Sequence, residues 1–196
     1  MAILQVLKYP DPFLKIQAER VTVVDAGIKG SIRDRTETMY YSRGIGLAAV
    51  QVGVNKRVIV LDVPDEEDEE DDDGSGAPKR GLNPFKPAPD QRGKNLIALI
   101  NPEIIEASGS VVFEEGCLSV PGQTADVERA ACVRVRALNK DGQTIEVAAD
   151  RLYAIALQHE IDHLDGILFI DRISRLKREL IKRRIRKAQE SEEKAL

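Results

Sequence analysis

The chain contains two histidines, and both fall in one five-residue stretch, His159-Glu160-Ile161-Asp162-His163. On an α-helix, positions i and i+4 share a face, so both imidazoles can reach a single metal ion. Glu160 stands beside them, placed to take the proton of a water that the metal acidifies without itself being a ligand. The plain alternative is a pair of surface histidines on a charged helix. The flanks argue against it, because Leu152, Ile155, Ala156, Leu157, Ile161 and Leu164 suit a buried helix. A catalytic metal takes three protein ligands and keeps one open position. From the residues alone the third donor has two candidates, Cys117 and the downstream carboxylate Glu179.

Cys117 lies in Glu114-Glu115-Gly116-Cys117-Leu118-Ser119, directly after an expected strand. A thiolate is a good ligand, and a bound metal deprotonates it. Gly116 is read as permitting an unusual backbone angle or a close approach there. The second cysteine, Cys132, stands among Ala130, Ala131 and Val133 and is read as a small buried thiol. A third segment, Gly44-Ile45-Gly46-Leu47-Ala48-Ala49-Val50-Gln51, lacks the Lys-Ser/Thr ending of a phosphate loop. It also follows a helix, where a dinucleotide fingerprint follows a strand. A backbone that passes close to a ligand, with the Gln51 amide donating to an oxyanion, accounts for it better than either. Tight packing is the bland reading of the segment by itself.

The elements that must position these residues follow from patterning. Residues 25–41 read as a helix on the stripe Ile28, Ile32 and Met39, ended by Arg43-Gly44. Strands are expected at 57–63, 96–105 and 110–113. A hairpin is expected at 132–138 and 144–148, turning at Asp141-Gly142, with Val133, Val135 and Ala137 on one face and Cys132, Arg134 and Arg136 on the other. Asp150 can cap a helix running to about Leu164, and Ser174 a last helix to about Gln189. The order predicts an α+β fold: antiparallel sheets packed around a central helix bearing the two histidines, followed by a C-terminal helix.

With 196 residues, 42% of them hydrophobic and 32% charged, the chain has the length and composition of one domain with a core of its own. Two cysteines exclude a disulfide framework, and no apolar run is long enough for a membrane span or a signal peptide. The expected compartment is the cytoplasm, with neither membrane nor DNA as partner. A net charge of −4 conceals two opposed blocks. Asp65 to Asp73 is an unbroken acidic run inside a Pro/Gly-rich stretch, Pro64 to Lys94, read as a mobile insertion. Residues 172–187 are strongly basic, with Glu179 the single acid.

Gly44 to Gln51, Glu115 to Ser119 and Gln158 to His163 resemble, in order and spacing, the three signature motifs of the peptide deformylase family. The resemblance extends from Leu7-Tyr9-Pro10 to the final helix. It implies hydrolytic removal of the formyl group from the formylmethionine of new polypeptides. It also implies a metal held by Cys117, His159 and His163, with Glu160 as general base and then acid. Gln51 and the backbone N–H of Leu118 would hold the oxyanion. Ile45, Gly46, Phe113, Leu152 and Ile155 would line the pocket for the methionine side chain, and Glu115, paired with Arg129, would support a ligand from behind. A thiolate with two imidazoles suits Zn²⁺ or Fe²⁺, and the family resemblance points to Fe²⁺.

Two places depart from the family pattern: the acidic insertion, and Thr124, where some members carry an arginine near the substrate backbone. Two other classes of function remain in view. One is a metallopeptidase that uses Glu179 as third ligand, and the other a non-catalytic relative that binds formylated or ribosomal partners. The basic final helix is expected to dock on the ribosome, where phosphates are dense.

Overall fold

The computed structural model describes residues 2–64 and 92–193. Strand parity is seen most plainly in the hairpin of β6 (Cys132–Leu138) and β7 (Thr144–Asp150). Val133, Val135 and Ala137 point into the core, and Cys132, Arg134 and Arg136 point to solvent. Cys132 is therefore an exposed thiol, not the buried one expected from its apolar neighbours. Side-chain direction in a strand follows the two-residue period, and Cys132 shares its parity with two arginines. The turn forms at Asp141-Gly142 as expected. Asn139 Oδ1 accepts from the backbone N–H groups of Asp141 and Gln143, and Gly142 adopts φ 78°.

This hairpin is one edge of a five-stranded antiparallel sheet in the order β1 (Gly46–Ala48), β2 (Val58–Leu61), β3 (Ile97–Ser108), β6, β7. β2 is buried along its whole length, as its unbroken apolar run requires. β3 slips register between Ile100 and Glu103 and again between Ile104 and Glu106. At the first slip Asn101 takes φ 51°, and its side chain donates to the carbonyl and accepts from the N–H of Val21. That pairing ties the N-terminal arm to the sheet. Asp62, buried just after β2, accepts from the Tyr40 hydroxyl and from the N–H groups of Gly93 and Asn95, at 2.6, 2.6 and 3.1 Å. It thereby joins the two stretches that flank the acidic insertion. The acidic run itself, and the mobility expected of it, lie outside the described residues.

A second sheet has two strands, β4 (Val111–Cys117) and β5 (Val120–Arg129). β5 was not expected, because between Gln123 and Arg129 its inward apolar stripe is only Ala125 and Val127, set among the outward Thr124, Asp126 and Glu128. The pair runs in register until Gly116, then shifts so that Cys117 faces Val120.

α1 (Ala26–Tyr41) begins on Asp25, whose carboxylate accepts from the Ile28 N–H. It ends in a Schellman arrangement: the N–H of Gly44 reaches the carbonyl of Met39, and that of Arg43 the carbonyl of Tyr40. The left-handed residue of this motif is Arg43, at φ 58°, rather than the adjacent glycine. That conformation costs roughly 1–2 kcal/mol for an L-residue. α2 (Arg151–Leu164) packs against β1, β2 and β7, and each residue from Ala154 to Leu164 is buried. Asp150 occupies its N-cap position but makes no side-chain capping bond. α3 (Arg175–Glu193) starts where Ser174 Oγ accepts from the Lys177 N–H, and it runs beyond the expected end. Its Ile181 joins Leu14, Val120, Phe169 and Ile170 in an apolar cluster. The fold is α+β, and no helix among the described residues is long and apolar enough to cross a membrane.

Candidate active site

The two histidines lie one helical turn apart on the buried face of α2, with their Nε2 atoms 3.2 Å from one another. Cys117, at the end of β4, brings its Sγ to 3.2 Å from His163 Nε2. The three donor atoms lie within 4.8 Å of one another, and no other group of three such donors forms among the described residues. His159 meets Glu115 through Nδ1 at 2.8 Å, which leaves Nε2 to face the other two donors. Donor type, spacing and ring orientation all fit a divalent metal ion. Glu179 has no place in this group. It is exposed on α3 and pairs with Lys182 at 3.3 Å.

Behind His159 runs a chain of buried charge. Arg129 grips both oxygens of Glu115, at 2.6 and 3.0 Å, and its remaining nitrogen reaches Asp162 at 2.6 Å. Asp162 also accepts from Arg172, through Nε at 2.6 Å and through a second guanidinium nitrogen. Burial alone would raise the Glu115 carboxyl, but the hydrogen bonds from Arg129 and His159 outweigh it and hold the group at about 2. The Glu115–Arg129 pair is the one expected. Asp162 and Arg172 were missed, although a carboxylate between two histidines on a fully buried helix requires a cation.

Glu160 is 5% exposed. Burial pushes its carboxyl up to about 7, against the lowering pull of His159, and the charge of Glu115 adds to the rise. Gly46 makes room for it: a Cβ there would stand 2.5 Å from Glu160 Oε1. The approach expected of the Gly-rich segment is to a ligand; the structure places its backbone against the Glu160 side chain. Gly116 serves neither purpose expected of it. Its backbone stays outside the left-handed region, and an added Cβ would meet nothing nearer than 3.5 Å. What the chain does there is shift the strand register, so that Cys117 pairs with Val120.

Gln51 is oriented from both ends. Its Oε1 accepts from the Ala48 N–H at 2.8 Å, so its Nε2 points to Ser119 Oγ at 3.1 Å and to Cys117 Sγ at 3.5 Å. Ser119 was not expected to contribute, and only its place two residues after Cys117 hints at it. Leu118 lies between them. A Cβ on Gly44 would fall 2.9 Å from its Cδ1, so that glycine lets the Gly-rich segment pass Leu118.

These groups meet in a cavity of about 430 Å³. Of the expected pocket residues, Ile45, Gly46 and Ile155 line it, together with Gln51, Cys117 and Glu160. Leu152 and the half-buried Phe113 do not; they sit in the apolar cluster that includes Ile45. A buried carboxylate, an amide donor and a group of three potential metal donors at one partly apolar cavity have the chemistry for metal-assisted hydrolysis of a small acyl group.

The family profile described as polypeptide deformylase matches residues 3–179. The peptide deformylase of Thermodesulfovibrio yellowstonii is 45% identical over 186 residues, covering 95% of this chain and 98% of that one. That of Chromobacterium violaceum is 42% identical over 187 residues, covering 95% and 96%. The crystal structure of a peptide deformylase from Legionella pneumophila superposes with a TM-score of 0.80 at 37% identity, covering 97% of this chain and 98% of that one. The Ehrlichia chaffeensis enzyme in complex with actinonin gives 0.79 at 34%, covering 96% and 98%.

Proposed function

Since the chain belongs to the peptide deformylase family, metal-dependent hydrolases that deformylate nascent peptides, we propose that Cys117, His159 and His163 hold its metal and Glu160 moves the proton. The observation that carries this reading is the convergence of three donors, two of which, Cys117 and His159, line the cavity beside the buried Glu160. A divalent ion held there supplies a Lewis acid and lowers the pKa of the attacking water. Glu160 takes that water's proton and passes it to the departing amine. The Gln51 amide and the Leu118 N–H donate to the formyl oxygen as charge develops on it, and one such donor is typically worth ~3 kcal/mol. Glu115 and Arg129 fix the ring of His159 from behind. Ile45, Gly46 and Ile155 receive the methionine side chain, while Phe113 and Leu152 belong to the apolar cluster that includes Ile45. A formyl carbon bears only hydrogen, so a close-fitting wall excludes larger acyl groups.

The native metal in this reading is Fe²⁺, with Zn²⁺ as its competitor, since both suit a thiolate with two imidazoles. The chain acts as one domain in the cytoplasm, carrying the acidic insertion as an appendage. α3 docks on the ribosome. In support, Leu176 is 72% and Leu180 46% exposed on a helix whose Arg183, Arg184 and Arg186 face solvent. Against it, Ile173, Ile181 and Ile185 rest on the domain and occupy part of the apolar face. The metallopeptidase reading lacks support, because Glu179 pairs elsewhere, and every motif residue that a non-catalytic relative would lose is present.

The test is metal analysis of protein purified without oxygen, with turnover of formyl-Met-Ala measured on the same sample. The expected result is close to one equivalent of iron and rapid release of formate. A metal-loaded chain that releases no formate overturns the reading. Turnover by a zinc-filled protein at the rate of the iron form overturns the choice of metal.

A further inference from the structure

The wall of the cavity carries an arginine in a conformation that favours glycine. Arg43 takes φ 58° at the end of α1, although Gly44 lies beside it and stays outside the left-handed region. Backbone strain of this kind concentrates at functional sites. The side chain of Arg43 is exposed, lines the cavity that contains Glu160, His159 and Cys117, and makes no hydrogen bond or ion pair among the described residues. The rest of the rim (Ser42, Pro121, Gly122, Gln123 and Thr124) is uncharged. The two carboxylates in the lining, Glu115 and Glu160, are both buried, and Glu115 is held by Arg129. The open part of the cavity therefore presents one full charge, a guanidinium whose donors are unspent.

Its reach along the wall follows from chain dimensions. Arg43 is three residues from Gly46, which lies against Glu160. An extended chain advances at most about 3.3–3.6 Å per residue, so Arg43 stands within roughly 10 Å of that point. A peptide with its formyl group at Glu160 advances by the same rise. Where it leaves the cavity along this wall, its first two residues after the methionine fall within the same span and so within reach of the guanidinium. We infer that Arg43 is a specificity-determining residue, favouring formyl-peptides with a carboxylate side chain at one of those two positions. The inference rests on the deformylase reading of the cavity. The chain's net charge of −4 works the other way, since long-range steering alone favours a basic peptide. A preference for acidic peptides is thus a local effect.

The test uses C-terminally amidated peptides, formyl-Met-X-Ala and formyl-Met-Ala-X with X as Asp, Asn or Lys, so that no terminal carboxylate confuses the comparison. At low ionic strength the kcat/KM ratio of Asp to Lys is expected to be about 3–5 at one position, as for a partly exposed ion pair, and to fall as salt is added. Arg43→Glu should invert the ratio, and Arg43→Gly, which also relieves the backbone, should bring it close to one. Turnover of the Asn peptides with an Asp-to-Lys ratio within twofold of one in the wild type overturns the inference. So does a ratio that Arg43→Glu leaves unchanged. Failure to release formate from any of the peptides overturns the deformylase reading and this inference with it.

Discussion

α2 and α3 are both amphipathic and both charged, yet they keep their charges in opposite ways. From Ala154 to Leu164, α2 is buried throughout, so each polar side chain needs a partner. Gln158 spends its amide on both backbone groups of Ala130, His159 meets Glu115, and Asp162 is shared by two arginines. In α3, Ile181 is the one buried residue among those described, and its Glu179–Lys182 pair is open to water. A buried charge is costly to leave alone and so fixes its neighbours; a solvated charge fixes nothing. This difference ties the polar residues of α2 to fixed neighbours and leaves the solvated residues of α3 substitutable at little cost in stability.

The largest expected effect comes from the carboxylate that α2 buries without using it structurally. Glu160→Gln keeps the size of the side chain but removes the proton acceptor, and turnover of formyl-Met-Ala should fall by roughly 10²–10⁴-fold. Metal content and melting temperature should stay close to wild type. Near-normal turnover, with contaminating wild type excluded, would remove Glu160 from the mechanism. The comparison sharpens when one residue is taken from each environment. Cys117→Ala should strip the metal during dialysis against a weak chelator, whereas Glu179→Ala on α3 should retain it. The opposite pattern, read by metal analysis, would revive the peptidase-like site.

Much of α2 is legible in the sequence because chemistry and burial leave the same trace there. Two histidines at i and i+4 with apolar residues around them have few other uses. Cys117 and Gln51 are less legible. They touch across 66 residues of chain, and no local pattern records such a contact, so the family motifs had to bring them together. β5 is hidden because its inward apolar stripe between Gln123 and Arg129 is only Ala125 and Val127, set among Thr124, Asp126 and Glu128. Cys132 misleads because neighbours in sequence are not neighbours across a pleat. Arg43 could not be foreseen, since the next residue is the glycine that normally takes its conformation.

A middle-sized effect is expected from the cation that links the buried carboxylates. Arg129→Met leaves Glu115 and Asp162 facing one another's neighbourhood with one guanidinium where there had been two. Removing one partner of a buried pair costs about 3–5 kcal/mol. Because Glu115 then holds His159 less firmly, metal affinity should drop by roughly 10–100-fold as well. Lys182→Ala, its solvated counterpart on α3, should change stability by under about 1 kcal/mol. Equal losses in the two variants, measured by urea denaturation of the metal-loaded proteins, would mean that burial is not what separates the helices.

The smallest effects should lie within α3 itself, where two apolar residues five positions apart have different surroundings. Ile181 is 4% exposed and packs with Leu14, Val120 and Phe169, while Leu176 is 72% exposed. Truncating a buried isoleucine to alanine costs about 2–5 kcal/mol, through lost transfer energy and the cavity left behind. Truncating an exposed leucine away from any such feature stays within about 0.5 kcal/mol. Alanine is also the better helix former, so Leu176→Ala should not loosen α3. The expected result is a clear fall in the urea midpoint for Ile181→Ala and no measurable shift for Leu176→Ala, with deformylation by the latter unchanged. Should Leu176→Ala destabilise the chain as much as Ile181→Ala, then Leu176 is covered in solution, and α3 has an apolar partner on its outer face even without the ribosome.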